Sequence, residues 1–239
     1  MKEFTLLIPT LNESYNLRIL FRQLIPYKDL IKILLVDDSS QDEFKILNKL
    51  ISKFLDLDIR TLKGYKKGIG TAIRQGLNYI DTNYFIIMMG DLSDDPQDLP
   101  KIMEKLKDGY QVVFGSRFIK GSYLQDYPPT KFIANRLTNL VISVLFRIKS
   151  HDITGAFTGY QSRYFKNTTF KSTGFSILIE LPIKGKLSGL KYCEVPVTWR
   201  NRIEGQSSMR LLRAGRNYWR IILELFFSQF FNKKVANQK

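Results

Sequence analysis

Apolar runs of strand type alternate with helically spaced apolar residues along the first half of the chain. The runs cover residues 4–8, 31–36, 57–62, 84–89 and 111–114. In residues 13–25, 42–55 and 97–107, apolar side chains instead repeat every three or four positions, which is typical of helices that pack by one face. This β-α-β-α order predicts an α/β fold with a mainly parallel sheet flanked by helices.

The pattern changes after Gly115. A loop that contains Pro128 and Pro129 precedes an apolar helix that is predicted to end near Arg147. A further helix is predicted over 176–187, a strand over 192–197 and a final helix from about residue 208. We therefore expect one α/β domain over residues 1–208 and a helical tail over residues 209–239.

Composition limits the classes of protein that fit the chain. The 239 residues are 44% apolar and 25% charged, which is typical of a folded domain rather than a disordered chain. A single cysteine, Cys193, excludes an internal disulfide and a cysteine-based metal cluster. We find no export signal in MKEFTLLIPTLNES, and no run reaches the roughly 18 uncharged apolar residues of a spanning helix.

The formal net charge of +15 favours polyanionic partners, namely nucleic acid, anionic lipid or phosphorylated substrates. The aromatic residues lie mainly in apolar runs rather than between lysines and arginines. We therefore predict no nucleic-acid partner, although a nucleic-acid-binding module stays an alternative.

The segment FIIMMGDLSDDP, residues 85–96, joins an apolar run directly to three carboxylates, Asp91, Asp94 and Asp95. Ligands of open α/β sheets gather beyond the carboxyl ends of the strands. A carboxylate there can hold a divalent cation, which in turn can hold a diphosphate. The alternative is an ordinary turn in which Asp91, Ser93 or Asp94 caps the next helix.

Other strand-like runs also lead into polar loops. These loops are IPTLNES at 8–14, VDDSSQD at 36–42, the lysine- and glycine-containing segment 66–74, and GSR at 115–117. Backbone amides of a glycine-containing loop and an arginine guanidinium both suit phosphate. Because loops that follow parallel strands open at one edge of the sheet, their convergence predicts a site for a phosphorylated ligand.

Eight motifs resemble, in order and spacing, those of the family-two inverting glycosyltransferases of GT-A fold. They are IPTLNESYNL, VDDSSQDEF, KGIGTAIRQGL, MGDLSDDP, GSRFIKG, NR at 135–136, DITGAFTGYQ and EVPVTWRNRIEGQSS. Within that family, the chain is similar to the dolichol-phosphate mannose synthase and polyprenyl-phosphate glycosyltransferase branch over roughly residues 4–212. The resemblance implies a nucleotide diphosphate sugar as donor, a polyprenyl phosphate as acceptor and Mg²⁺ or Mn²⁺ as cofactor.

The resemblance also implies a role for individual residues. Nucleotide-sugar contacts are implied for Pro9, Asn12, Glu13, Asp38, Gly68, Gly70, Asp91, Arg117, Arg202 and Ser207. Asp91 matches the second acid of the family's D-x-D metal motif, and Ser93 falls where some members use a glutamine ligand. Arg117, Lys131 and Arg202 are expected to bind the phosphates, and the segment with Arg202 and Ser207 is expected to close over the donor.

One position departs from the family pattern. Met89 stands where the first acid of D-x-D is expected, and a thioether is a poor ligand for a hard cation. Asp91 is then the one protein carboxylate expected to bind the metal. We therefore expect the activity to depend less strongly on the metal than in family members with both acids. Two alternatives follow, a site in which cationic side chains replace the metal and a sugar-nucleotide binder without catalytic activity.

The acceptor determines whether the site requires a general base. A sugar hydroxyl acceptor, as in polysaccharide or glycolipid synthesis, needs a general base, and Asp152 and Glu180 are the candidates for it. A phosphate acceptor is already an anion and needs no base. We expect the phosphate acceptor, and we expect Asp152 to pair with a nearby cation instead. His151, the one histidine, is expected to have no catalytic role.

The tail has the pattern of an amphipathic helix with a basic start. Its polar residues recur three or four positions apart between apolar ones: Arg213, Asn217, Arg220, Glu224 and Ser228. Such a helix is predicted to lie on a membrane surface or against a membrane subunit through residues 209–231. The alternatives are packing on its own domain or dimerisation. We expect a peripheral protein on the cytoplasmic, inner face of a membrane.

Overall fold

The computed structural model describes residues 2–166, 168–201 and 211–236. Its strands are β1 (Phe4–Thr10), β2 (Ile31–Asp37), β3 (Ile59–Lys63), β4 (Tyr84–Ile87), β5 (Val112–Ser116), β6 (Tyr123–Gln125), β7 (Thr158–Gln161), β8 (Tyr192–Pro196) and β9 (Thr198–Arg200). Its α-helices are α1 (Ser14–Leu24), α2 (Gln41–Ile51), α3 (Ile69–Leu77), α4 (Leu99–Lys107), α5 (Pro129–Phe146), α6 (Ile177–Leu187) and α7 (Leu211–Ala236). Short 3₁₀ turns follow α1, precede α4 and follow β7.

Seven of these strands form one sheet in the order β3-β2-β1-β4-β7-β5-β8. The pairs β1–β2, β1–β4, β2–β3 and β5–β8 are parallel, whereas β7 runs antiparallel between β4 and β5. Strands β6 and β9 pair in parallel as a separate small sheet. The predicted mainly parallel sheet flanked by helices is confirmed, with β7 as an antiparallel strand that the apolar pattern did not indicate.

The sheet separates two hydrophobic clusters because successive side chains of a strand point to opposite faces. In β1, Leu7 belongs to the cluster under α3, α5, α6 and α7, whereas Leu6 and Ile8 belong to the cluster under α1, α2 and α4. All residues of β1 are buried, because one cluster covers each face of the strand. This explains why its sequence is a nearly continuous apolar run.

Some elements are shorter than the sequence predicts. β4 ends at Ile87 rather than 89, because the Met89 amide donates to the Asp94 carboxylate at 3.0 Å instead of to a strand. α2 ends at Ile51 rather than 55, where the Phe54 amide closes a turn onto the Ile51 carbonyl. The early end of β4 brings the acidic segment to the rim of the sheet.

The tail helix packs against the domain along one side. Tyr218, Ile221 and Leu225 of α7 are buried in the cluster that also holds residues of α5 and α6. Packing on the same chain, which the sequence left as an alternative, therefore holds for this side of the helix. In the part of the chain that the structure describes, no helix has the length and apolar character to cross a membrane. The predicted boundary between a domain over residues 1–208 and a tail over 209–239 stays a prediction.

Candidate active site

The loops after β1 and β2 are tied together by polar contacts. Asp37 is buried and accepts hydrogen bonds from Thr10 Oγ1 at 3.0 Å, Ser39 Oγ at 2.5 Å and Lys63 Nζ at 3.3 Å. Of the two adjacent acids, Asp37 thus holds the strand ends together. Asp38 is half-buried, and its carboxylate accepts the Lys66 amide at 2.9 Å.

The first loop places its predicted residues beside this pair. Pro9 is a buried residue of β1, opposite Val36 of β2. Asn12 has a left-handed backbone, with φ of 58°, and its amide donates to Ser39 Oγ at 2.7 Å. The Glu13 carboxylate accepts from Asn16 Nδ2 at 2.5 Å. Pro9, Asn12, Glu13 and Asp38 therefore share one corner of the sheet edge.

The predicted glycine loop packs on the backbone of residues 172–174. The Gly70 amide donates to the Thr173 carbonyl at 2.8 Å, and a Cβ added at Gly70 would lie 2.6 Å from the Gly174 carbonyl oxygen. Gly68 has φ of 94°, and its added Cβ would meet the Thr173 carbonyl oxygen at 2.9 Å. These two glycines allow a close approach between backbones that no larger residue permits.

A cavity of about 540 Å³ lies beyond the ends of β4 and β5. It combines an acidic wall from the segment after β4 with basic groups from the loop after β5 and from α5. Residues that line it include Met89, Asp91, Ser93, Asp94, Gly115, Arg117, Lys131, Asn135, Thr138, Thr154, Phe175, Trp199 and Tyr218. Its size and mixed polar and apolar lining are those of a small-molecule site.

The acidic wall is preorganised by short local contacts. Asp91 is 3% exposed, and its Oδ1 accepts from the Ser93 amide at 3.1 Å and from Ser93 Oγ at 2.6 Å. Burial raises the pKa of Asp94 to about 7, with Asp91 adding to the shift and the Met89 amide and Arg117 opposing it. Two carboxyl groups and a hydroxyl thus stand together.

These oxygen donors fit a hard divalent cation that also binds phosphate. Mg²⁺ is commonly held by one or two carboxylates together with substrate phosphates and water rather than by a complete protein cage. Among the described residues, no group of three or more His, Cys, Asp or Glu side chains is placed to hold a metal alone. The set of Asp91, Asp94 and Ser93 therefore suits a cation shared with a diphosphate.

The basic side of the cavity is built around a buried ion pair. Arg117 Nε and Nη2 donate to the two Asp152 carboxylate oxygens at 2.6 and 2.8 Å, and the Arg117 amide donates to the same carboxylate at 3.0 Å. Burial alone lowers the pKa of Arg117, but the charge and hydrogen bonds of Asp152 outweigh it, so the net shift is upward. Arg117 is therefore a fixed cation at the cavity wall.

Lys131 supplies a second cation from the first turn of α5. Its Nζ lies 5.2 Å from the centroid of the Trp199 ring and 5.6 Å from that of Tyr127. Both distances are within the range of cation–π attraction. The aromatic rings thus support the ammonium group at the cavity.

The residues proposed as general bases for a hydroxyl acceptor have other partners. Asp152 is fully buried in its pair with Arg117, as expected of a structural acid. Glu180 accepts the Lys171 and Ser172 amides at 2.9 and 2.8 Å and pairs with Lys184 at 2.9 Å. His151 is exposed and contacts Glu194 through Nδ1 at 2.6 Å. Asp152, Glu180 and His151 therefore each connect separate segments of the chain through these partners.

The structure gathers the predicted residues into two adjoining groups. Asp91, Ser93, Arg117 and Lys131 line the cavity, whereas the nucleotide-side residues of the first, second and third loops lie beyond β1 and β2. The groups meet where β1 and β4 are neighbours, since a Cβ added at Gly90 would be 3.3 Å from Thr10 Cγ2. The predicted Arg202 and Ser207 lie outside the described residues.

Several cavity residues were not predicted. The sequence placed Asp94 in the acidic cluster without a site role, and Trp199 and Asn135 lay inside recognised motifs that gave them none. Tyr218 and Phe175 carry no local signal, because they reach the cavity through long-range packing of α7 and of the loop before α6.

The mainly parallel seven-stranded sheet flanked by helices, with a cavity beyond the ends of β4 and β5, is a GT-A-like α/β fold. Among solved structures, glucosyl-3-phosphoglycerate synthase from Mycobacterium tuberculosis, in complex with Mn²⁺, UDP-glucose and phosphoglyceric acid, superposes with a TM-score of 0.70. Its sequence identity is 15%, over 95% of this chain and 79% of that one. The TarS protein of S. aureus, in complex with UDP-GlcNAc, has a TM-score of 0.65 at 14% identity, over 96% and 67% of the two chains.

The chain belongs to glycosyl transferase family 2, whose pattern matches residues 5–169. It is 30% identical over 216 residues to the dolichol-phosphate mannosyltransferase of Pyrococcus furiosus, which covers 86% of this chain and 59% of that protein. It is 25% identical over 210 residues to the polyprenol monophosphomannose synthase of Mycolicibacterium smegmatis, covering 85% and 79%. The chain thus spans less than two thirds of the length of the first relative.

Proposed function

We propose that this chain transfers a hexose of mannose or glucose type from a nucleotide diphosphate sugar to a polyprenyl phosphate, with inversion. The observation that carries the proposal is one cavity with a carboxylate wall at Asp91 and fixed cations at Arg117 and Lys131. The names of the two family-2 relatives, a dolichol-phosphate mannosyltransferase and a polyprenol monophosphomannose synthase, support this acceptor class.

The donor is proposed to lie along the sheet edge from β2 to β4. Asp38, with Pro9, Asn12 and Glu13, is proposed to contact the nucleoside, and the Gly68–Gly70 loop is proposed to lie beside it. Asp91 and Ser93 are proposed to hold Mg²⁺ or Mn²⁺, and a solved structure of similar fold contains Mn²⁺. When bound there, such a cation supplies positive charge that stabilises the departing diphosphate.

Cations are the main requirement when both reactants carry phosphate. Two like unit charges about 4 Å apart repel by about 4 kcal/mol at an effective dielectric constant of about 20. Arg117, held by Asp152, and Lys131, supported by Trp199, offset this repulsion without having to reorganise. Arg202 is proposed to complete this set.

The transfer needs no proton acceptor from the protein. An anionic oxygen of the acceptor phosphate attacks the anomeric carbon from the face opposite the diphosphate. The bond from that carbon to the diphosphate oxygen breaks, and the electron pair leaves with the nucleoside diphosphate. Inversion follows because one displacement occurs on one face. The pairing of Asp152 and Glu180 with other groups supports a route without a general base.

A lipid acceptor requires the protein to work at a membrane. We propose a peripheral protein on the cytoplasmic face, with residues 209–231 on the membrane surface or against a membrane subunit. Trp219, Leu223 and Phe227 of α7 are about half exposed, which supports an apolar contact on the outer side of that helix.

A panel assay tests the proposal. The purified chain is incubated with Mn²⁺, a short polyprenyl phosphate and, in turn, radiolabelled GDP- and UDP-hexoses, and label is measured after organic extraction. We expect one donor to transfer label into the organic phase, and we expect Asp91→Asn to abolish that transfer. Tight binding of a sugar nucleotide with no transfer to any acceptor would instead support a non-catalytic binder.

A further inference from the structure

The Asp94 side chain turns back towards the end of β4. Its Oδ2 accepts the Met89 amide at 3.0 Å, so its carboxylate lies beside the backbone of residue 89. Met89, Asp91 and Asp94 all line the active-site cavity. A carboxylate therefore stands next to position 89, although residue 89 itself carries a thioether, which is a poor ligand for a hard cation.

Contacts with β9 hold the loop that carries Asp94. The Arg200 amide donates to the Ser93 carbonyl at 3.0 Å, and Asp94 forms an antiparallel bridge with Trp199. Leu92, just before these contacts, has a left-handed backbone with φ of 63°, a conformation that is uncommon outside tight turns. The position of the Asp94 carboxylate is thus set by the backbone on both sides of it.

The two adjacent acids of this loop differ in their partners. Asp95 pairs with Arg200 Nη1 at 2.5 Å and accepts the Gln97 amide at 3.0 Å, so its charge is balanced. Asp94 is 6% exposed, and within the described residues its carboxylate has no ion pair and no hydrogen bond besides that of the Met89 amide. A nearly buried carboxylate of this kind is costly as an anion unless a cation meets it. Asp94 is therefore the acid with room for a cation on its cavity side.

We propose that Asp94 is a second carboxylate ligand of the divalent cation and takes the place of the acid absent at position 89. This role rests on the proposed function, from which it takes the cation held by Asp91 and Ser93. Asp91 is then not the one protein carboxylate on the metal. With two carboxylates, the site does not need cationic side chains in place of the metal, and strong dependence on Mg²⁺ or Mn²⁺ is expected.

Metal binding tests this role without the transfer reaction. The full chain is titrated with Mn²⁺ alone at pH 8, where Asp94, whose pKa burial raises to about 7, is ionised, and free Mn²⁺ is measured by electron paramagnetic resonance. Asp94→Asn is expected to weaken Mn²⁺ binding at least about tenfold, since even the loss of a partner of a metal ligand weakens binding about 10- to 100-fold. Its Tm should change little, because the amide oxygen of asparagine can still accept the Met89 amide.

Two further variants separate ligation from general charge. The matched control Asp95→Asn removes the same charge from the neighbouring acid, which is already paired, and should change Mn²⁺ affinity by no more than about threefold. Adding Met89→Asp to Asp94→Asn should return the affinity to within about threefold of the parent, because residue 89 also lines the cavity.

A thiolate at the same position reports coordination directly. In a Cys193→Ser background, Asp94→Cys replaces an oxygen ligand by sulfur, which prefers Cd²⁺ to Mn²⁺. The ratio of Cd²⁺ affinity to Mn²⁺ affinity should rise about tenfold or more, together with a thiolate-to-metal charge-transfer band in the ultraviolet spectrum. Asp95→Cys should show neither change.

An Mn²⁺ affinity of Asp94→Asn within about twofold of the parent would overturn the role and indicate a protonated, structural carboxyl. Equal losses in Asp94→Asn and Asp95→Asn, or no recovery with Met89→Asp at an unchanged Tm, would overturn it as well. Mn²⁺ binding that depends on Asp94, in a chain that transfers no hexose to any prenyl phosphate, would support the role and refute the proposed function.

Discussion

The ion pair between Arg117 and Asp152 gives a prediction whose magnitude follows from the geometry. Asp152 is fully buried and the Arg117 side chain is 10% exposed, so solvent screens the pair little. Asp152→Asn removes the charge that balances the guanidinium and places an amide against its donors. Breaking such a buried pair costs about 3–5 kcal/mol of unfolding free energy. For a chain of this length, that corresponds to a fall in Tm of about 10 °C.

Denaturation with urea, followed by circular dichroism, measures this loss. The control is the double variant Arg117→Met with Asp152→Leu, which removes both charges and should recover about 2 kcal/mol relative to Asp152→Asn. The remaining transferase activity of Asp152→Asn should keep the shape of its pH profile. A stability within about 1 kcal/mol of the parent, or loss of the acidic limb of the profile, would refute the structural role and favour a general base.

Three further predictions concern other parts of the chain. Asp91→Asn should lower turnover about a hundredfold or more and remove the Mn²⁺ dependence of nucleotide affinity in calorimetry. Its Tm should change little, since an amide oxygen can still accept from Ser93; unchanged turnover would refute the metal role.

Gly70→Ala should cost about 1–3 kcal/mol in urea unfolding, because its Cβ would lie 2.6 Å from backbone atoms, whereas Gly174→Ala, 3.9 Å from its nearest neighbour, should be mild. Equal effects would contradict this close approach.

Burial raises the pKa of Glu180, but hydrogen bonds from two amides and Lys184 outweigh it and lower the pKa. Its stabilisation is present above the ordinary carboxyl pKa and is lost as pH falls through the lowered one. Glu180→Gln should therefore be less stable at neutral pH, with the gap closing in acid. A constant gap in urea titrations would contradict this.

The sequence predicts the parallel part of the sheet because those strands are buried on both faces. Phe85, Ile86 and Ile87 read as one apolar run for that reason. β7 gives no such signal, since Thr158–Gln161 is short and contains Gly159. It is a strand because β4 and β5 flank it, and its glycine is needed where a Cβ would lie 2.5 Å from Ile102.

The residues of the candidate site likewise fall into those that the local sequence indicates and those that only tertiary contacts bring to the cavity. Asp91 and Arg117 were predicted because Arg117 directly follows β5 and Asp91 comes four positions after β4, and the place where strands end fixes the rim of the sheet. The sequence indicated that Asp152 pairs with a cation, but the identity of Arg117 as its partner depends on a contact across 35 positions. Tyr218 enters the cavity only through the packing of α7, which no local pattern encodes.

The central claim is that the acceptor brings its own negative oxygen to a site without a general base. The most direct measurement compares a prenyl phosphate with the prenyl alcohol of the same chain length, using the purified chain and its preferred sugar nucleotide. The account predicts glycosyl transfer to the phosphate alone, with the product inverted at the anomeric carbon. Transfer to the alcohol at a comparable rate would contradict it.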